Sequence, residues 1–199
     1  ISDGTLLYRN AKNHANETVG GIELAVSLPA GSRAFSVRGQ STWHNEQLEG
    51  SFTIADFIAA VGGEKSGLKV KLSGTPLKLS FDGTMTNRSS LLLEGTLSAD
   101  TASLRGLTRW AGHELPGANG FGPFSLKARA NVVGNSVALT NVNTSLDGNA
   151  AEGVLTFNGS TGQQTLQGTL AADALDLTPY LGTIRLLAGA HEWNRQSFD

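Results

Sequence analysis

Roughly eleven short stretches of this chain alternate apolar and polar residues, and most of the gaps between them are only hairpin-long. Ile22, Leu24, Val26 and Leu28 interleave with Glu23, Ala25 and Ser27, and Leu68, Val70 and Leu72 interleave with Lys69 and Lys71. An alternating period of two makes a strand with one apolar face. Connections this short join neighbours antiparallel. The glycines Gly39, Gly50, Gly95, Gly153 and Gly168 fall inside predicted strands. Interior strand glycine marks a bend or bulge. The expected fold is therefore mainly β, a strongly curved antiparallel β-meander forming a groove or taco-like sheet. About three short helices pack at its edge or mouth.

A phrase repeats along the chain. It reads Leu93-Glu94-Gly95-Thr96-Leu97-Ser98-Ala99-Asp100 and Leu166-Gln167-Gly168-Thr169-Leu170-Ala171-Ala172-Asp173, with a looser copy from Leu48 to Asp56. Each copy is a strand that runs into a helix-start signal. Thr53, with Asp56 three positions on, resembles a capping box. Asp100 or Thr101 is the expected cap of a second helix carrying Leu104, Leu107 and Trp110. Thr178 followed by Pro179 opens a third. The strand boundaries place turns at 10–16 and 141–145. Residues 113–122 are a Gly/Pro-rich connector. The expected organisation is one module over 1–199 with internal cycles at about 1–63, 64–112 and 121–187.

The residues exclude more chemistry than they offer. There is no cysteine, hence no disulfide and no thiolate metal site. The net charge of −2 gives no electrostatic case for nucleic acid. His14, His44, His113 and His191 lie far apart, without metal-ligand spacing, and read as solvated turn residues. Asp173 and Asp176 form a conceivable acid pair, but their place before a helix favours capping. No catalytic residue, metal or cofactor is expected, and a polysaccharide-active enzyme is the least favoured reading. No apolar run reaches about 18 residues, the length that spans a bilayer. The chain opens on Ile1 and closes without a stop signal, so it is expected to be a piece of a longer protein.

What remains is the apolar face itself. Its candidate lining is Leu68, Val70, Leu72, Leu77, Leu79, Phe81, Leu91, Leu93, Leu97, Phe124, Leu126, Val137, Leu139, Leu155, Phe157, Leu166 and Leu170. Short helices offer too little apolar surface to cover so many strands, so the sheet curls over itself or leaves a greasy trough. Lys65, Lys69, Lys71 and Lys78 are the one basic concentration. They read as a solvated sheet face, with contact to anionic lipid head groups as the functional alternative.

The order of several segments resembles the AsmA family. They are the repeated phrase, the helix ending Trp110-Ala111-Gly112, and the connector into Phe121-Gly122-Pro123-Phe124. The turn from Asp147 to Gly153, the segment from Leu175 to Leu181, and the terminal Trp193-Asn194-Arg195-Gln196-Ser197-Phe198-Asp199 complete the set. The last departs from the family pattern at Ser197 and Phe198. The resemblance implies a periplasmic, non-enzymatic β-groove similar to TamB and the bridge-like lipid transfer proteins. It also implies attachment to the inner membrane through a segment outside this chain, phospholipid or another envelope lipid as partner, and a part in outer-membrane homeostasis. The alternative is a structural β-repeat with a closed core that works through protein contacts in the cell envelope.

Overall fold

A computed structural model describes residues 1–10, 15–117, 119–160 and 163–189. Eleven strands form one sheet in strict sequence order, every neighbouring pair antiparallel. They are β1 (Gly4–Asn10), β2 (Ala15–Ser27), β3 (Phe35–Trp43), β4 (Glu46–Ile54), β5 (Ser66–Gly74) and β6 (Lys78–Asn87). β7 (Leu91–Thr101), β8 (Phe124–Val133), β9 (Ser136–Leu146), β10 (Asn149–Ser160) and β11 (Gln163–Ala171) complete it. The expected meander is what the chain forms. Helix α1 (Phe57–Val61) follows β4, α2 (Leu104–Trp110) follows β7, and α3 (Leu181–Gly189) follows a 3-10 turn at Thr178–Tyr180. An odd number of strands, β5 to β7, separates α1 from α2. The two helices therefore stand at opposite ends of the sheet, and α3 shares the end of α2.

Between the bulges, register carries the apolar pattern across β2 to β8. One row runs Leu24, Gly39, Gly50, Leu72, Leu79, Ala99, Leu126. The next runs Val26, Val37, Phe52, Val70, Phe81, Leu97, Ala128. The opposite face carries Arg38, Ser51, Lys71, Ser80, Ser98 and Lys127 in one row. A one-residue slip would exchange the faces, so this patterning fixes register strongly.

The sheet bends hard at its strand glycines. A Cβ on Gly39 would overlap the carbonyl oxygen of Glu23, and one on Gly83 that of Glu94. Gly95, Gly153 and Gly168 are similarly crowded by neighbouring backbone, whereas Gly50 has ordinary clearance. The middle of the sheet closes on a small core of Ile54, Leu68, Phe81 and Ala130, with Ala60 of α1. Phe52, Phe57, Val70, Met85, Leu93, Leu97 and Leu139 pack against it. Towards both edges the same face opens, and Leu6, Tyr8, Leu166 and Leu170 are exposed.

Several boundaries differ from the sequence expectation for two identifiable reasons. The first is bulging. β2 begins at Ala15 rather than near Ile22, because a bulge at Gly20–Ile22 puts Val19 and Ile22 on the same face. The expected turn at 141–145 is instead strand: β9 bulges at Asn141, which has a positive φ.

 At +50° this is left-handed backbone, which asparagine tolerates better than most residues. Leu139 and Val142 then share the apolar face across the bulge, and Val142 is fully buried. The second reason is that strands outrun the predicted caps. Thr53 lies within β4, and the N-cap of α1 is Asp56, whose side chain accepts from Ala59 N. Asp100 and Thr101 lie within β7, and Ser103 caps α2 by accepting from Gly106 N at 3.0 Å. Before the 3-10 turn, Asp176 rather than Thr178 supplies the side-chain oxygen, accepting from Thr178 N at 2.9 Å.

The two classes of glycine make opposite predictions. Gly83→Ala forces backbone apart and is expected to destabilise by about 1–3 kcal/mol. Gly50→Ala, with room for its methyl, is expected to be neutral or stabilising by up to about 1 kcal/mol. Denaturant melts of the two variants check the contrast.

Candidate functional site

The apolar face carries an open groove of about 420 Å³ across β2 to β6. Val19, Ile22 and Leu24 line it from β2, Val37 and Ser41 from β3, Leu48 and Phe52 from β4, Val70 and Leu72 from β5, and Leu79 from β6. Gly39 and Gly50 form part of its floor, and at Gly50 the absent side chain leaves space. A larger concavity of about 1030 Å³ lies on the other face, over Glu23, Arg38, Gln40, Glu49, Ser51, Lys69 and Lys71. Its charges are mixed and several are already paired, with Gln40 donating to Glu23 and Lys69 to Asp82. The smaller, apolar groove is the better candidate, because burying apolar surface there needs no polar desolvation.

The sequence candidates divide over this face. Val70, Leu72 and Leu79 line the groove. Leu68 and Phe81 are core residues beside it, with Leu93, Leu97 and Leu139 packed against them. Phe124, Leu126, Val137 and Leu155 are half-buried further along, and Leu91, Phe157, Leu166 and Leu170 are exposed. Leu77 sits in the β5–β6 connection, outside the strands. The candidate set begins at Leu68 and so omits Val19, Ile22, Leu24, Val37, Leu48 and Phe52, although β2 to β4 carry the same alternation. Lys69, Lys71 and Lys78 stand on the polar face, and Lys65 precedes β5 and meets Glu94 at 3.3 Å. Lys71, between Val70 and Leu72, is also among the residues lining the groove.

An aromatic cluster stands at the α2 end of the groove. α2 leaves β7 and its last residue, Trp110, packs edge-on against Trp43 of β3, ring centroids 4.5 Å apart. Trp110 Nε1 donates to the Trp43 carbonyl at 3.2 Å. Glu17 of β2 lies on the apolar face, where its Oε2 accepts from Trp43 Nε1 at 2.9 Å. The Trp43 indole, with smaller contributions from His44, holds the Glu17 carboxyl below its ordinary range. His44 is thus no free turn histidine: it stacks on Trp43 and faces both Glu17 and α2. His113 is exposed in the connector, and His14 and His191 fall outside the described residues.

A second constellation orders the connector after α2. Arg105 donates to the carbonyls of Leu115 and Gly117 at 2.8 Å, Asn119 at 2.9 Å, Gly120 at 3.3 Å and Pro116 at 3.4 Å. Its guanidinium also lies over the Phe121 ring. Asp147 accepts from Phe121 N and Gly122 N, both at 2.8 Å, and from the Tyr180 hydroxyl. Thr183 of α3 donates to the Pro116 carbonyl at 3.1 Å. These are structural ties between α2, the connector and α3. Asp173 and Asp176 form no acid pair in them: Asp176 is held below its ordinary range by the Thr178 hydroxyl and amide, as a cap is.

No group of histidines and carboxylates with metal-binding geometry occurs among the described residues, and no helix among them is long and apolar enough to cross a membrane. No family model, curated protein or solved structure matches the chain.

Burial, and then Asp147, push the Tyr180 phenol up to about 12. A raised folded-state pKa means stability that is complete below the unfolded value and is lost as pH climbs through the folded one. Phenolate absorbance is expected to show a component near 12 that moves down in Asp147→Asn. The connector is expected to loosen over that same alkaline window, read by hydrogen exchange at residues 119–122.

Proposed function

We propose that this chain is a non-enzymatic lipid-binding module whose apolar groove holds an acyl chain. The observation that carries the reading is a continuous apolar row across β2 to β6 that no described helix covers. The groove volume of about 420 Å³ is in the range of small-molecule sites, about 300–1,000 Å³. Each methylene withdrawn from water contributes about 0.8 kcal/mol, so a long chain binds without any specific polar contact. The resemblance to AsmA-like proteins supports the same reading. On that resemblance we assign the module to the periplasm, with attachment to the inner membrane through a segment outside this chain. We assign it a part in moving envelope phospholipid and in outer-membrane homeostasis.

One observation favours the alternative of a structural β-repeat acting through protein partners. The middle of the apolar face, at Ile54, Leu68, Phe81 and Ala130, is filled by the protein's own side chains. The lipid reading therefore concerns the groove over β2 to β6 and not the whole sheet.

Gly50→Leu tests it with little structural cost, because a side chain there points into the groove and meets no crowding backbone. The wild type is expected to take up a fluorescent fatty-acid analogue and to retain phospholipid in native mass spectra. The variant is expected to lose at least about tenfold in affinity at unchanged melting temperature, the equivalent of about two methylene contacts. Equal uptake by both proteins, or none by the wild type, contradicts the proposal.

A further inference from the structure

His44 occupies a position that only one protonation state satisfies. Its Nδ1 lies 2.6 Å from the carbonyl oxygen of Trp110 and its Nε2 lies 2.8 Å from Glu17 Oε2. Both partners are acceptors, so both ring nitrogens must donate, and the neutral ring has only one N–H. The Trp110 carbonyl belongs to the last turn of α2, where helix carbonyls lack intrahelical partners and positive charge is favoured. The Trp43 ring stacked beneath the imidazole, with centroids 4.5 Å apart, favours the cation further.

The contact joins distant parts of the chain. Glu17 is on β2, His44 is in the β3–β4 turn, and Trp110 ends the helix that leaves β7. In sheet order this bridges the ends of β4, β5 and β6. Val19 and Ser41, which line the groove, flank Glu17 and Trp43 in their strands. Other charged groups described at this end include Glu46 opening β4, Lys78 opening β6, Asp100 near the end of β7, Arg109 in the last turn of α2, Glu114 after it and Arg9 on β1. Tyr8 pairs with Glu17 across β1 and β2, and His113 follows α2. Among the described residues, Glu17 and the Trp110 carbonyl are the ring's hydrogen-bond partners.

We propose that His44, donating as an imidazolium to Glu17 and to the Trp110 carbonyl, is a latch that holds α2 at the end of the apolar groove and releases it when the ring loses a proton. Deprotonation leaves one ring nitrogen as a lone pair facing an acceptor oxygen, which converts an attraction into a repulsion. The latch itself needs no ligand. Its consequence, faster acyl exchange on release, rests on the lipid-binding reading.

Hydrogen exchange at residues 104–111, corrected for intrinsic rates, tests the latch in the intact protein. Protection is expected to fall about tenfold between about pH 5.5 and about pH 8, the worth of one charge-assisted bond across the range where histidine changes charge. His44→Asn suits the left-handed backbone at this position, φ +47°, and is expected to show low protection at both pH values. Equal protection in wild type at both pH values, or the same pH dependence in the variant, overturns the proposal. Nitrogen-detected NMR of the wild-type His44 ring gives a reading independent of the variant: two protonated nitrogens at the lower pH are expected, and a neutral ring there overturns it. A fluorescent acyl probe separates the two ideas. Absent uptake with pH-dependent protection sinks the groove reading and leaves the latch standing, while uptake with pH-independent protection does the reverse.

Discussion

The sheet bends towards its own apolar face, and every other feature depends on that bend. A flat sheet of eleven strands would leave one whole face in water, which no set of three short helices could cover. Bending requires neighbouring backbones to approach closely on the inner side. The strand glycines permit it, because Gly39, Gly83 and Gly153 sit where any side chain would strike the next strand's carbonyl. Once the middle strands close, Leu68 and Phe81 find partners in Ile54 and Ala130 and form a dry core. The curvature also brings the end of β3 within reach of α2, which follows β7, so that Trp43 and Trp110 meet.

The fold was legible because alternation is a strong signal wherever one face is buried and the other is wet. All eleven strands follow it, and the repeated phrase does mark strands that lead to helices. It failed where the period breaks. The steps from Val19 to Ile22 and from Leu139 to Val142 are three residues long and each is a bulge: the first hid the start of β2, and the second read as a turn. The caps of α1 and α2 came out late for a related reason: cross-strand pairing carries β4 and β7 past the residues whose chemistry suits a cap. Asp100, the last residue of the repeated phrase, is thus a strand residue, whereas Asp56 of the looser copy is a true cap.

The site was legible as a face and not as a place. Periodicity tells which residues share a side, but only curvature tells which part of that side is filled. Leu68 and Phe81 therefore became core, while Val19, Ile22 and Leu48, outside the candidate set, line the open groove. Long-range polar ties gave even less warning. Nothing local in the sequence distinguishes Arg105 from other helix arginines, yet it gathers five backbone carbonyls of the connector. His44 met Glu17 and Trp110 only because the sheet coils.

The central claim is that acyl chains lie on the apolar face of β2 to β6. Photocrosslinking with a phospholipid carrying a diazirine in its acyl chain, followed by peptide mapping, tests it most directly. Adducts concentrated on Val19, Ile22, Leu24, Val37, Leu48, Phe52, Val70, Leu72 and Leu79 are the predicted result. Adducts confined to the polar face, or spread evenly over the exposed apolar residues of β1, β10 and β11, would contradict it.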